Sequence, residues 1–202
     1  MHQANPGVAY FDALFTHSDD PWHFRTRWYE ARKRAITLAC LPARHYAAVF
    51  EPGCANGELS AALAPRCDRL LVSDGSAQAV PLARARLAAW PHAEVRQAWL
   101  PDGWPEENFD LIVLSEVLYY LTLQQLARLI DKVRATLRPG GTVLACHWRR
   151  PIAGCMLDGD AVHDLLHARL AMPRLSSLQE PDFRLDVWCL DARSVAQLEG
   201  LG

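Results

Sequence analysis

The 202-residue sequence lacks several features that mark particular classes of protein. Its 21 basic residues do not outnumber its 23 acidic ones, so no overall positive charge is available to hold nucleic acid through its phosphates. Its six cysteines include no C-x-x-C pair, which argues against a zinc ribbon or a compact disulfide framework. We therefore expect reduced, mostly buried cysteines and no nucleic-acid partner.

Long apolar runs are missing as well. The N-terminus shows no signal-peptide pattern, and no segment reaches about 18 consecutive apolar residues. We therefore expect no membrane insertion and a cytoplasmic location. Half of the residues are hydrophobic and 22% are charged, which is the composition of a globular chain, and the length suits one domain.

Hydrophobic spacing predicts alternating strands and helices. An amphipathic helix begins at Phe24 and ends before Pro42, and Thr122 with Gln125 has the spacing of a capping box at the start of a later helix. The predicted strands cover residues 47–51, 69–73, 93–98, 109–115 and 142–146, followed by a closing pair at 175–179 and 183–190. This alternation predicts an α/β sheet between layers of helices. About 20 residues at the N-terminus show no pattern.

The sharpest motif is a glycine loop at residues 51–57, between a predicted strand and a predicted helix. Its G-x-x-x-G spacing matches neither the dinucleotide fingerprint nor the phosphate-binding P-loop, so no pyrophosphate is indicated. Glu51 at the head of the loop suits the cationic end of a ligand. Asp74, at the end of the next strand, suits a ribose diol. Together they predict a nucleoside that carries an amino acid.

This combination resembles the class I S-adenosylmethionine (SAM) dependent methyltransferases. The resemblance implies a single doubly wound Rossmann-like domain over residues 24–202, with a seven-stranded, mostly parallel sheet and an antiparallel C-terminal strand; residues 1–23 would form an arm or lid. It implies SAM as cofactor, leaving as S-adenosylhomocysteine (SAH). It implies that the methionine moiety is bound by Glu51, Gly53, Cys54 and Gly57, and the ribose by Asp74 and Gly75. It further implies Ala98 and Trp99 beside the adenine, and Ser115 and Glu116 beside the sulfonium. Trp99 departs from the family pattern, where many members carry an acid.

Four further strings, at residues 20–22, 28–34, 115–121 and 147–151, are similar to the nodulation protein S (NodS) family. That family N-methylates the free amine of a deacetylated glucosamine unit. The resemblance therefore implies a small-molecule amine acceptor, such as a deacetylated amino sugar. Methylation of a hydroxyl on another small metabolite and a non-catalytic, SAM-binding regulatory domain stay open as alternatives.

A protonated amine must lose its proton before it can attack a methyl group. Glu116 and His147, just beyond the fourth and fifth strands, are the candidate groups for this step, and Tyr119 with Tyr120 would form an aromatic wall. The structural alternatives are a turn cap for Glu116 and a buried structural histidine for His147.

Two other patterns are weaker evidence for a binding site. His163 and His167 have the i, i+4 spacing of a metal pair, but the glutamate of H-E-x-x-H is absent, so we expect no metal. The basic cluster formed by Arg25, Arg27 and residues 32–34 would either grip an anionic acceptor or be the solvated face of a helix.

Overall fold

The computed structural model describes residues 5–201 and shows seven α-helices and seven strands, which mostly alternate along the chain. The helices are Val8–His17 (α1), Trp28–Ala39 (α2), Glu58–Leu63 (α3), Ala79–Leu87 (α4), Leu123–Thr136 (α5), Gly159–Leu170 (α6) and Val195–Leu198 (α7). The strands are Tyr46–Pro52 (β1), Cys67–Asp74 (β2), Ala93–Gln97 (β3), Phe109–Ser115 (β4), Leu137–Trp148 (β5), Arg174–Gln179 (β6) and Phe183–Cys189 (β7). Short 3-10 turns span Ala64–Arg66 and Leu118–Tyr120.

All seven strands join one sheet in the order β3-β2-β1-β4-β5-β7-β6. The first five are parallel, and β7 is antiparallel to both β5 and β6. The strand order reverses between β1 and β4, so the connections that leave these two strands diverge and open a crevice at their carboxyl ends. The predicted fold class, a seven-stranded, mostly parallel sheet with an antiparallel C-terminal strand, is confirmed.

The sheet separates two buried clusters because neighbouring residues of a strand point to opposite faces. Phe50 and Ile112 pack with α5 and α6 on one face, whereas Val49 and Leu111 pack with α3 and α4 on the other. β4 is buried on both faces over residues 111–114, as the apolar run there predicts, and has the predicted bounds. The sheet is therefore a rigid platform whose carboxyl edge stays free for a site.

The predicted elements are found, most strands with bounds that differ by one or two residues, and α7 was not predicted. Three differences are larger or affect the site. α2 begins at Trp28 rather than Phe24, because Asp20 accepts hydrogen bonds from the backbone N–H groups of Phe24 (2.8 Å) and Arg25 (3.0 Å) and holds that segment in a turn. β5 begins at Leu137, well before the predicted residue 142. The N-terminal segment contains α1, which the sequence did not predict. The capping box at the start of α5 is confirmed in full.

In residues 5–201 no helix combines the length and the hydropathy that a membrane span needs. Four of the six cysteines are buried and two are half-buried, and all six are free thiols.

Candidate active site

A cavity of about 720 Å³ lies at the carboxyl edge of the sheet, at the crevice between β1 and β4. It is lined by the ends of β1, β2 and β4, by residues that follow β3, and by side chains of α1 and α2. A smaller cavity of about 60 Å³ shares Gly53, Glu116 and Lys33 with it. We call these the main cavity and the small cavity.

The glycine loop forms one wall of both cavities. Gly53 has a φ of +73°, and a Cβ at this position would lie 2.8 Å from Cγ2 of Val117, so the close approach of the two loops requires glycine. Cys54 lines the small cavity. Gly57 lines neither cavity. A Cβ on Gly57 would lie 3.2 Å from the Ala83 backbone, so this glycine allows α3 to pack closely on α4.

Asp74, at the end of β2, lines the main cavity beside Gly75. Its carboxylate accepts hydrogen bonds from the backbone N–H groups of Ala55 and Ser76, each at 2.9 Å. Burial raises the pKa of Asp74, and these backbone donors oppose the rise. The acid therefore ties the glycine loop to the start of the α4 region while keeping lone pairs for a ligand.

Trp99 lies directly over Gly75 in the main cavity. A Cβ on Gly75 would come within 2.1 Å of the Trp99 ring, so only glycine allows this packing. Ala98 lines the same region. Phe11 of α1 contacts both Trp99 (6.0 Å between ring centroids) and Tyr120 (4.9 Å), so the N-terminal helix closes this part of the cavity.

Glu51 and Ser115 lie at the small cavity rather than the main one. Burial raises the pKa of Glu51 to about 8, opposed by the hydrogen bond that the Ser60 hydroxyl donates at 2.6 Å. Asn56 lines the same cavity, and its buried Oδ1 has no hydrogen-bond partner among the described residues. The Glu51 carboxyl oxygens and the unused Asn56 acceptor together offer acceptors to the ammonium group of a ligand, whose charge would favour the ionised form of Glu51.

Glu116 follows β4 and lines both cavities. Its φ of +55° is rare for a residue with a side chain and points to a constrained position. Three donors hold its carboxylate: Lys33 Nζ at 2.6 Å, the Tyr119 hydroxyl at 2.5 Å and the Trp148 backbone N–H at 2.9 Å. The carboxylate is therefore oriented from three directions.

Lys33 and Glu30 also line both cavities, although no motif in the sequence marks either of them individually. Lys33 Nζ lies 3.1 Å from Glu30 Oε2 as well as contacting Glu116. Burial lowers the pKa of Lys33, but the two carboxylates outweigh burial and raise it above its ordinary value. Two acids thus flank one ammonium at the cavity wall, an excess of acid that favours a cationic ligand.

The remaining basic residues of the predicted cluster are mostly engaged elsewhere. Arg25 pairs with Asp19 and Arg32 with Glu180, and Arg34 donates to a backbone carbonyl. Arg27 lines the main cavity. The cluster therefore does not act as one anion-binding surface.

His147 does not reach the cavity. It is fully buried and lines neither the main nor the small cavity, because its ring turns toward α6 and hydrogen-bonds with His163 at 3.1 Å. The proposed role as a base in contact with the acceptor therefore has no geometric support, and the structural reading of His147 is the one that its position favours. His163 and His167 do not share a site: both ring nitrogens of His163 are engaged by His147 and Asp186, whereas His167 accepts a hydrogen bond from Trp188 at 3.2 Å.

Tyr119, by contrast, lies at the site and contacts Glu116 directly. The aromatic side chains of α1 that line the cavity were missed, although Phe11 and Phe15 have the i, i+4 spacing that indicates one helical face. These side chains are Tyr10, Phe11 and Phe15. Their contribution is visible only once α1 is packed over the carboxyl edge.

The sheet order and the site at its carboxyl edge place the chain in the Rossmann-like methyltransferase fold. The chain belongs to the nodulation protein S (NodS) family, whose model matches residues 14–178. The resemblance identified in the sequence is thereby confirmed.

Individual relatives agree with this family. The chain is similar to nodulation protein S of Bradyrhizobium diazoefficiens, at 39% identity over 104 residues, which are 51% of this chain and 50% of that protein. A second nodulation protein S, from Rhizobium tropici, is 34% identical over 61% of this chain and 53% of that protein. The chain thus spans about half the length of the curated relatives that it matches.

Two solved structures extend the comparison over most of the chain. A Pseudomonas syringae protein with a provisional methyltransferase assignment is 58% identical, covers 81% of this chain and 99% of its own, and has a TM-score of 0.73. The N-methyltransferase NodS from Bradyrhizobium japonicum WM9 in complex with SAH is 25% identical, covers 90% of this chain and 97% of its own, and has a TM-score of 0.78.

Proposed function

We propose that the chain is a SAM-dependent N-methyltransferase that acts in the cytoplasm on the amine of an amino sugar or a sugar-derived small molecule. One observation carries the proposal: a single cavity is lined both by Asp74, the acid at the end of β2, and by Glu116, a carboxylate held in place by three donors. The first suits an adenosyl ligand and the second a cationic acceptor.

The residues present fit SAM. Asp74 and Gly75 are proposed to bind the ribose, and Ala98 and Trp99 the adenine, because all four line the main cavity. The small cavity, with the Glu51 carboxyl group and the unpaired Asn56 oxygen, suits the amino-acid end. Gly53, Cys54 and Ser115 complete the wall there, whereas Gly57 supports the loop from behind. When bound, SAM supplies a methyl group activated by a sulfonium.

The main task of the chain in such a transfer is to orient the acceptor and the methyl donor, which can lower the activation barrier by roughly 7 to 11 kcal/mol. Glu116 Oε2 already accepts two hydrogen bonds, while Oε1 accepts one, from Lys33. A carboxylate offers about four lone-pair positions, so Oε1 keeps one for the ammonium of an acceptor. Glu116 would thus bind the amine, orient it and accept a proton from it.

The acceptor is proposed to be a sugar because of the family and the lining. The relative whose structure was solved with SAH is an N-methyltransferase of the NodS family. Trp22, Phe24, Tyr29 and Trp148 line the main cavity and offer flat apolar faces to a ring. Residues 1–23, of which 1–4 lie outside the described part of the chain, are proposed to act as a lid, since α1 covers the cavity.

Mass spectrometry with SAM carrying a deuterated methyl group tests the proposal. D-glucosamine should gain the labelled methyl group on nitrogen, located by fragmentation, and N-acetylglucosamine should gain none, because its nitrogen has no free lone pair. Labelling of a hydroxyl instead would favour the O-methyltransferase alternative. SAH binding without turnover on a broad amine panel would favour a regulatory domain.

Glu116→Gln provides the matched variant for this assay. The amide keeps the shape of the side chain but cannot bind an ammonium by charge or take its proton. Turnover should fall at least about 100-fold, the lower range for general base catalysis, while SAH affinity measured by calorimetry should change far less. Unchanged turnover would remove Glu116 from the mechanism.

A further inference from the structure

Buried polar side chains run in a line behind the site and end on the loop that carries Glu116. The Leu118 backbone N–H donates to His147 Nε2 at 3.3 Å, His147 Nδ1 lies 3.1 Å from His163 Nε2, and His163 Nδ1 lies 2.6 Å from Asp186 Oδ2. The three side chains have 0% exposure. We call His147, His163 and Asp186 the His–His–Asp chain.

The hydrogen bonds of the His–His–Asp chain allow one arrangement of protons for two neutral rings. The carboxylate of Asp186 is an acceptor, so His163 carries its proton on Nδ1 and has a free Nε2. That Nε2 must accept from His147, whose proton is therefore on Nδ1. The remaining Nε2 of His147 is then the acceptor that the Leu118 N–H needs. All four ring nitrogens in the line then have a hydrogen-bond partner, whereas Oδ1 of Asp186 has none among the described residues.

Charges around the line agree with this arrangement. Burial lowers the pKa of His147, and burial also lowers that of His163 against the opposing effect of Asp186, so both rings stay neutral. Asp186 is compensated by Arg184, which donates to Oδ2 at 2.9 Å, and by Arg174, which lies 3.7 Å from Oδ1.

The His–His–Asp chain requires α6 to pack closely against β5. Gly159, at the start of α6, has its Cα so near β5 that a Cβ would lie 2.2 Å from the Trp148 carbonyl oxygen and 3.2 Å from Cβ of His147. A larger residue would push α6 outward and separate His163 from His147. The contact between the two imidazoles therefore depends on a glycine.

The end of β5 ties the loop after β4 at three points. The Glu116 N–H donates to the Cys146 carbonyl at 2.9 Å, the Trp148 N–H donates to the Glu116 carboxylate at 2.9 Å, and the third tie is the Leu118–His147 bond. The Tyr119 ring also packs edge-on against His147, with 5.4 Å between centroids.

We infer that the His–His–Asp chain is a positioning device: it locks the tautomer of His147, so that this ring holds the Leu118 backbone and thereby orients Glu116 and Tyr119 toward the acceptor. The line does not carry protons from the cavity, because none of its three side chains lines the main or the small cavity and its end is a backbone amide. The orientation of the acceptor rests on the proposed function; the tautomer lock does not.

Nitrogen-15 NMR of the ring nitrogens of the intact protein tests the lock without any acceptor. At pH 7, His147 and His163 should both be neutral, with the proton on Nδ1. A proton on Nε2 of His147, or a charged ring at either position, would overturn the inference.

Two variants of His147 separate positioning from simple filling of space. His147→Gln places a carbonyl oxygen near the Nε2 position and keeps an acceptor for Leu118. His147→Asn places an amide near the Nδ1 position and removes that acceptor. The Leu118 amide should stay protected from hydrogen exchange in the first variant and lose protection in the second.

Turnover of D-glucosamine gives the functional readout. We expect kcat to be on the order of tenfold lower in His147→Asn than in His147→Gln, with SAH affinity similar in both, since misplacement of reacting groups acts on the chemical step. Equal protection and equal kcat in the two variants would refute the inference. If the native protein does not methylate D-glucosamine, the acceptor proposal fails, and hydrogen exchange of the Leu118 amide alone tests the positioning role of His147. If either variant does not fold, the tautomers of His147 and His163 in the native protein test the inference.

Discussion

Replacing Asp74 with alanine should remove most of the affinity for SAH. In the site proposed here the Asp74 carboxylate binds the two ribose hydroxyls while it accepts the Ala55 and Ser76 N–H groups, both at 2.9 Å. A hydrogen bond to a charged group contributes about 1.5 to 3 kcal/mol. Loss of two such bonds costs at least about 3 kcal/mol, which corresponds to a rise in Kd of more than about 100-fold. SAM and SAH share the ribose, so both affinities should fall alike.

Isothermal titration calorimetry with SAH measures the effect at a temperature where the variant is folded, as checked by circular dichroism. Asp68→Ala is the matched control: Asp68 belongs to the same strand, is exposed at the opposite end and pairs only with His45, at 2.9 Å, among the described residues. The control should bind SAH as the native protein does. A folded Asp74→Ala protein that binds SAH within about threefold of native affinity, a difference of about 0.6 kcal/mol, would refute the assignment of Asp74 to the ribose.

Three further predictions concern other parts of the molecule. Gly75→Ala should displace the Trp99 ring, because a Cβ would lie 2.1 Å from it, and should lower SAH affinity together with a change in tryptophan fluorescence. Glu51, with its pKa raised to about 8, is largely protonated at pH 7 and should release up to about one proton when the SAH ammonium binds, so titrations in buffers of different ionisation enthalpy should show release in the native protein and none in Glu51→Gln. Burial raises the pKa of Asp186, but His163 and Arg184 lower it more strongly, to about 2. Asp186 should therefore add about 2 kcal/mol to the free energy of unfolding above about pH 4, and this contribution should disappear toward pH 2. Urea unfolding of Asp186→Asn should lack this acid-dependent loss.

Local sequence patterns were sufficient for the elements whose burial is uniform or whose ends carry a specific signal. β4 has the predicted bounds because a short apolar run with β-branched residues, between polar stretches, is typical of a strand buried on both faces. The helix after Thr122 begins where its capping box predicts. α1 was missed although Phe11 and Phe15 have helical spacing, and its apolar side chains cover the cavity. Apolar spacing also placed the start of α2 too early, because the Asp20 carboxylate holds a turn there.

The sequence by itself determined the α/β class, the glycine loop and the positions of Asp74 and Glu116 at strand ends, because strand periodicity and the rule that ligands bind at the carboxyl edge of a parallel sheet depend on short stretches of chain. Only the tertiary structure decided which side chains meet there. Lys33 reaches Glu116 across 83 residues of sequence, and His147 turns away from the cavity toward α6. Such pairings follow from how helices pack on the sheet, and no local pattern records that packing.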